Sequence, residues 1–385
     1  MPTADDDEID PDADDIPDVD DADPEEREPP TNRDDQVVWH RNPVPPGESR
    51  AMAVDIGGSY TGGRVEIPIV VRRGPEDGPT VMVTAAVHGD EINGTGTIRR
   101  IVIEDPFKLR RGTLVLVPVV NLAGFERHSR YMPDRRDLNR SFPGSADGSL
   151  TSRTAAAFFE QVVRGCDWGI DLHTAAVRRT NFPNVRADTG DPELAAFAEA
   201  FGAELIISGT GPEGSLRSAA NGAGCRTLIL EAGEVWKVEP TVVAYAMRGI
   251  RNCLAHLGMI EGEPVEPAYR VVAQTTKWLR AANGGFLTFH VAPGDIVHEG
   301  DAIATNISLT GTERSQIVAP RDGIVVGMTT LPAVAPGDPV CHLAFGRPKR
   351  IARAERAVAD LTPESLHERM REDLATNMVV EDAPQ

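Results

Sequence analysis

Val81-Met82-Val83-Thr84-Ala85-Ala86-Val87-His88-Gly89-Asp90-Glu91 is the stretch on which the reading of this chain turns. Residues 81–87 are almost continuously apolar, the pattern of a strand buried on both faces, and such strands belong to parallel sheets covered by helices. The run predicts a strand ending at His88. Beyond the Gly-Asp turn, the pattern predicts a helix from Glu91 through Ile103, with Gly94 and Gly96 near its start. An imidazole would then leave the strand end while a carboxylate three residues on projects from the first helical turn.

The same alternation continues downstream. Leu114–Val120 reads as a second buried strand, Thr154–Val163 as a helix and Trp168–His173 as a third strand. Asp191 followed by Pro192 opens a helix running to about Phe201, an N-cap with proline in the first turn. Residues 204–208 and 226–231 are two more strands, and a helix over 240–257 closes the unit with Gly258 as its C-cap. Strands alternating with helices across 36–265 imply an α/β sheet covered on both faces. From about Pro267 the texture changes. Pro293-Gly294-Asp295, Glu299-Gly300-Asp301, Arg321-Asp322-Gly323 and Pro336-Gly337-Asp338 punctuate short strands, which predicts a small all-β barrel or sandwich over 266–345. Residues 346–385 are charged and read as a helical tail with a frayed end.

The formal charge of the 385 residues is −20, but residues 1–35 carry 17 acidic and 2 basic side chains. That leaves only −5 for the other 350 residues. Such an acidic, proline-interspersed segment cannot bury apolar surface; it is expected to be a disordered, solubilising tail, with docking to a partner as the lesser alternative. No basic stripe with interleaved aromatics points to nucleic acid. No apolar run is long enough to span a membrane, and no signal-peptide pattern is visible. Cys166, Cys225, Cys253 and Cys341 lack metal-type spacing and read as ordinary small apolar residues in a reducing cytoplasm.

His88 and Glu91, joined by His173 from Asp171-Leu172-His173-Thr174, make up the two-histidine, one-glutamate ligand set of a catalytic zinc site, which keeps one position open for water. Ligands of α/β sheets bind beyond the carboxyl ends of the strands, and His88, His173 and Glu231 all fall there. Each signal alone is weak, and their company strengthens them. Asp171 shares a strand face with His173 and either orients its imidazole from behind or bonds to backbone. Glu231 ends the apolar run Leu228-Ile229-Leu230, where a carboxylate is costly unless paired or used. It is either an exposed strand-end acid or the base that takes a proton from metal-bound water. Glu234, beyond a glycine turn, is the weaker candidate. In Arg136-Asp137-Leu138-Asn139-Arg140-Ser141-Phe142-Pro143-Gly144, Asn139 and Arg140 suit an anion clamp, because guanidinium presents a planar fork to carboxylates. The alternative is a surface turn with salt bridges. The remaining histidines, His342 among them, have no ligand spacing.

Taken in order, Ala86-Val87-His88-Gly89-Asp90-Glu91-Ile92-Asn93-Gly94, Asn121…Phe125…Arg130-Tyr131, Asp137-Leu138-Asn139-Arg140-x-Phe142-Pro143-Gly144, Asp171-Leu172-His173-Thr174 and Glu231-Ala232-Gly233 resemble the succinylglutamate desuccinylase/aspartoacylase family of zinc carboxypeptidase-like deacylases. The likeness covers roughly residues 50–345. It implies a zinc-carboxypeptidase-like mixed sheet flanked by helices, plus a small all-β barrel-sandwich C-terminal domain. It implies one Zn2+ per chain on His88, Glu91 and His173, with Glu231 as general acid/base. Arg130 would polarise the scissile carbonyl, Asn139 and Arg140 would hold the substrate carboxylate, and Arg186 would make a further substrate contact.

Gly294-Asp295-Ile296-Val297 and Ala319–Val325 resemble half-motifs of biotinyl/lipoyl carriers. No lysine occurs between Lys277 and Lys349, so a lysine-linked prosthetic group is not expected. The β region is read as a rim of the substrate entrance or as purely structural. The expected activity is zinc-dependent amidohydrolysis of a small N-acyl amino acid in the cytoplasm. The alternatives are a zinc carboxypeptidase on peptides and a non-catalytic zinc-binding interaction module; homo-oligomerisation is left open.

Overall fold

In the computed structural model of the protein, residues 44–58, 62–375, 378, 380, 381 and 383 are described. The acidic segment 1–35 lies outside them. The chain enters through an antiparallel pair, β1 (Ser49–Gly58) and β2 (Arg64–Arg73), followed by β3 (Glu76–Ala85), α1 (Asn93–Glu104) and β4 (Arg111–Val117). A single turn, α2 (Leu122–Phe125), and a 3-10 turn at Leu138–Arg140 lead to α3 (Leu150–Gln161) and β5 (Trp168–His173). Then come β6 (Arg179–Ala187), α4 (Pro192–Ala200), β7 (Leu205–Ser208), α5 (Leu216–Gly222), β8 (Arg226–Gly233) and α6 (Pro240–His256). The C-terminal third supplies β9 (Val271–Ala273), β10 (Thr275–Arg280), β11 (Gly285–Phe289), β12 (Ile296–Val297), β13 (Ala302–Ile307) and β14 (Arg314–Val318). It ends with β15 (Gly323–Thr329), β16 (Ala333–Val334), β17 (Pro339–Phe345), α7 (Pro348–Ala359) and α8 (Leu366–Ala375).

Strands β4-β3-β5-β8 run parallel and form the centre of a 13-stranded mixed sheet ordered β1-β2-β4-β3-β5-β8-β6-β15-β17-β10. Val83, Ala85, Ile170, Leu172, Leu228 and Leu230 pack with Ile98 and Ile101 of α1 and with Ile250 and Leu254 of α6. Met82, Val115 and Val117 belong to a separate core with Phe158 and Phe159 of α3. Helices on both faces are what make these strands apolar at every position. The sheet does not stop at residue 265. Gly327 of β15 pairs with Asn181 of β6, and a Cβ on Gly327 would lie 2.4 Å from Asn181 Oδ1. Glycine thus lets the C-terminal strands join the main sheet closely enough to flank the carboxyl ends of its central strands. A second, four-stranded antiparallel sheet, β14-β13-β11-β16, completes the C-terminal region.

Several boundaries differ from expectation for local reasons. β3 stops at Ala85 because Ala86 adopts φ +50°. That conformation costs a non-glycine residue roughly 1–2 kcal/mol. It is held in place by the Val120 and Asn121 N–H groups, which donate to the Ala85 and Ala86 carbonyls. α1 starts at Asn93, so Glu91 lies in the connecting turn and not on the first helical turn as the sequence suggested. β4 ends before Pro118, and α3 begins at Leu150 because the Ser149 hydroxyl caps the Ser152 N–H at 3.3 Å. β6 and α5 were not foreseen. Residues 346–385 contribute two helices, and Met370 and Leu374 of α8 are buried in the main core. All four cysteines are buried and unpaired. Among the described residues, no helix is long and apolar enough to cross a membrane.

Candidate metal centre and substrate cavity

β3 and β5 are parallel neighbours, so the turn leaving β3 and the last residue of β5 arrive at the same edge of the sheet. There His88, Glu91 and His173 each offer a ligand atom, and these atoms lie within 4.8 Å of one another. The Glu91 carboxylate sits between the rings, with Oε1 2.6 Å from His88 Nδ1 and Oε2 2.9 Å from His173 Nδ1. The Thr174 N–H also donates to Glu91 Oε2, at 3.0 Å.

Both outer ring nitrogens face a second carboxylate. His88 Nε2 is 3.1 Å from Asp137 Oδ1, and His173 Nε2 is 2.7 Å from Asp171 Oδ2. Thr84 Oγ1 fixes Asp171 by donating to its other oxygen at 2.7 Å. The outward nitrogens thus have their own partners, which directs the Nδ1 atoms toward Glu91, the arrangement that metal-binding histidines use.

The electrostatics point the same way. Burial alone would lower the pKa of His173, but Asp171 and Glu91 raise it well above the ordinary value. Burial likewise opposes protonated His88, and Glu91 and Asp137 raise its pKa. Burial would raise the Glu91 carboxyl, yet the two imidazoles hold it far below the usual carboxylate range. Three carboxylates therefore enclose two imidazoles in a pocket built to hold positive charge, and a divalent ion displaces protons from such a site. The donor set of two nitrogens and one carboxylate fits zinc.

Two substitutions probe this scaffold. Asp171→Asn is expected to weaken metal binding about 10- to 100-fold with the fold intact, measured by competition with a chromophoric chelator. Gly89→Ala is expected to be more disruptive. A Cβ there would lie 2.1 Å from the Gly124 carbonyl carbon and 2.2 Å from the Phe125 nitrogen, both backbone. The His88–Glu91 turn would have to move, lowering stability by about 2 kcal/mol or more in denaturant melts and reducing bound metal.

The ligands open onto a cavity of about 250 Å³. His88, Glu91 and His173 line it together with Arg130, Asn139, Arg140, Arg186 and Glu231, whereas Asp171 and Glu234 do not. Arg130 donates to Glu91 Oε1 at 3.3 Å and to Asp137 Oδ2 at 3.1 Å, which pins its guanidinium beside the candidate ligand set. Asp137 also accepts the Asn139 N–H at 2.8 Å, so one carboxylate holds a histidine, an arginine and the start of the Leu138–Arg140 turn. Asn139 Oδ1 accepts the Leu216 N–H at 2.8 Å, which leaves its amide N–H groups for a ligand. Glu231 is opposite His173 in the β5–β8 register. Its Oε2 accepts from Asn181 Nδ2 at 3.1 Å, and Oε1 lies 3.7 Å from Arg186 Nε.

Sequence reasoning missed Arg179, Asn181, Arg217, Trp278 and His342, which line the same cavity. Arg217 is buried with Nε and Nη1 unpartnered, and burial followed by the nearby Arg186 pushes its pKa down to about 10. Trp278 on β10 and His342 on β17 bring the C-terminal strands into the cavity wall. Burial, then Arg186 and Arg179, lower the His342 pKa from 6.5 to about 3. The folded state thus refuses a proton that the unfolded chain accepts below pH 6.5, so this contribution to stability is complete above 6.5 and is lost as pH falls toward 3. His342→Phe is expected to lessen the drop in urea midpoint between pH 7 and pH 4.

Fold and site together define an α/β protein with a two-histidine, one-carboxylate centre at the carboxyl edge of its sheet. The succinylglutamate desuccinylase/aspartoacylase catalytic domain model matches residues 77–257, a span containing all eight side chains read from the sequence. An N-alpha-acetyl-L-2,4-diaminobutyric acid deacetylase from Halomonas elongata is 31% identical over 297 residues, covering 73% of this chain and 86% of the relative. A succinylglutamate desuccinylase/aspartoacylase structure from Rhodobacter sphaeroides superposes with a TM-score of 0.68 at 27% identity, covering 78% of this chain and 96% of the other. The product-bound structure of an ectoine utilization protein from Ruegeria pomeroyi gives a TM-score of 0.68 at 25% identity, covering 77% and 94%. The chain belongs to the succinylglutamate desuccinylase/aspartoacylase family, a family of deacylases.

Proposed function

We propose that the protein is a zinc-dependent amidohydrolase that removes the acyl group from a small N-acyl amino acid. The observation that carries this reading is the meeting of His88, Glu91 and His173 with Glu231 and Arg130 on one small cavity. Zinc held by the three ligands would supply a water acidified to a pKa of about 7 and a Lewis acid for the acyl carbonyl. Glu231, steadied by Asn181, takes the proton of the attacking water and returns it to the leaving amine. Arg130, gripped by Glu91 and Asp137, donates to the oxyanion that develops on the carbonyl. Asn139 and Arg140 grip the carboxylate of the amino acid and so fix the scissile bond relative to Glu231. Arg186, beside Glu231, makes a further substrate contact.

A cavity of about 250 Å³ supports a substrate the size of an acylated amino acid over a peptide. The name of the Halomonas elongata relative, a deacetylase of an acylated amino acid, supports the same reaction class. Four unpaired, buried cysteines support a reducing, cytoplasmic setting. The test is to assay zinc-loaded protein on N-acyl amino acids and on peptides with free C-termini. The expected result is release of amine from the acyl amino acids alone. Preferential release of C-terminal residues from peptides would replace this reading with a carboxypeptidase.

A further inference from the structure

Trp236 leaves 55% of its surface to solvent and holds its backbone at φ +59°. Neither suits a large aromatic residue on a connecting loop. At that φ the β-carbon crowds the following carbonyl oxygen, and glycine or asparagine is the usual occupant. A residue kept in such a conformation is held there by its surroundings. Here the loop between β8 and α6 is firmly anchored. It turns at Gly233, φ +73°, where a Cβ would lie 2.1 Å from Glu239 Oε2. Glu239 accepts the Glu234 N–H at 2.9 Å and Asn93 Nδ2 at 2.7 Å, and Asn93 Oδ1 accepts the Glu239 N–H at 2.7 Å. The loop is thereby fastened to the first residue of α1, two residues beyond Glu91.

From that base Trp236 reaches in two directions. Its backbone N–H donates to the Asp90 carbonyl at 2.9 Å, inside the turn that carries His88 and Glu91. Its indole Nε1–H donates to the His128 carbonyl at 3.1 Å. His128 is itself left-handed, at φ +50°, and stands two residues before Arg130. The 121–131 segment is closed on itself. The Asn121 side chain accepts the Gly124 N–H at 2.8 Å and donates to the Arg130 carbonyl at 3.4 Å, while the Ser129 N–H donates to the Gly124 carbonyl at 2.9 Å. A displacement of His128 is therefore passed to Arg130. Arg130 lines the substrate cavity, and Trp236 and His128 do not.

We propose that Trp236 is a positioning residue for Arg130: spanning from the Asp90 carbonyl to the His128 carbonyl, it fixes the loop that delivers the guanidinium relative to the turn that carries His88 and Glu91. The inference rests on the deacylase reading, in which Arg130 donates to the oxyanion. A donor held in place before the reaction needs no reorganisation when the charge develops. The left-handed backbone of Trp236 is what aims the indole at the neighbouring loop.

The experiment uses zinc-loaded full-length protein and the N-acyl amino acid that the wild type turns over best. Trp236→Phe keeps a ring and removes the donor. It should lower kcat by about 10-fold, within the roughly 100-fold that a 1 Å misplacement costs. KM should change less than about twofold, with zinc retained. In an Arg130→Ala background the same substitution should cost less than about twofold, because Trp236 acts through Arg130. A phosphonamidate analogue, whose tetrahedral oxygens mimic the oxyanion, should bind Trp236→Phe about 10-fold more weakly by calorimetry, while the product amino acid binds as it does to the wild type. Glycine takes φ +59° without strain, so Trp236→Gly should match or exceed Trp236→Phe in urea midpoint and still be the slower enzyme. A loop serving stability alone would give the reverse order.

Wild-type kcat in Trp236→Phe overturns the inference. So does an equal loss in the Arg130→Ala background. So does a Trp236→Phe chain that loses its zinc, which would put the residue in the service of the metal turn. Each of these leaves the deacylase reading in place. A wild-type chain that hydrolyses no N-acyl amino acid removes that reading, and the inference falls with it.

Discussion

Glu231→Gln is expected to lower kcat by about three orders of magnitude while the protein keeps its metal. The two side chains are nearly isosteric, and a glutamine oxygen can still accept from Asn181 Nδ2, so the geometry at the end of β8 should persist. What disappears is the ability to take a proton from water and give it to the amine. Because that work occurs in the transition state, kcat and kcat/KM should fall together and KM should change little. Steady-state kinetics with elemental analysis of the same sample separate this outcome from loss of metal. A variant that retains near-full rate would remove Glu231 from the mechanism.

The second large effect belongs to Glu91. Its two oxygens face both ligand imidazoles, and they also accept from Arg130 and from the Thr174 backbone. Glu91→Gln removes the negative charge that holds this group together. Metal affinity is expected to fall by more than about 100-fold, beyond what losing an outer carboxylate such as Asp171 costs. Turnover should vanish at ordinary zinc concentrations and return in part at excess zinc. The same substitution should shift Arg130, so the rate at saturating zinc is expected to remain below wild type. Unchanged metal affinity would mean that Glu91 is not a ligand.

The contrast between what the sequence revealed and what it hid has a physical basis. β5 was legible to the residue because a strand buried on both faces is apolar until it reaches the sheet edge, where Asp171 and His173 stand out. Polar side chains at strand ends stand out in this way, and His88 and Glu231 were picked out by the same logic. The placement of Glu91 was less accurate, because the left-handed Ala86 and the tight packing of Gly89 against α2 absorb two residues that a helix pattern would count as its own. β6 escaped notice because Asn181, Pro183 and Asn184 interrupt its apolar pattern; the two asparagines serve Glu231 and the neighbouring backbone. α5 is a seven-residue helix ending in Asn221-Gly222, too short for periodicity to register, so Arg217 went with it. Trp278 and His342 carry no local signal. They reach the cavity only because β15 pairs with β6, a contact between strands far apart in the chain.

The central claim is that His88, Glu91 and His173 hold one divalent ion, and metal content tests it most directly. Elemental analysis of the purified wild-type chain, beside His173→Ala prepared identically, should give about one zinc per wild-type chain and under a tenth of that in the variant. A wild-type chain without stoichiometric metal, or a His173→Ala chain that keeps it, would contradict the account.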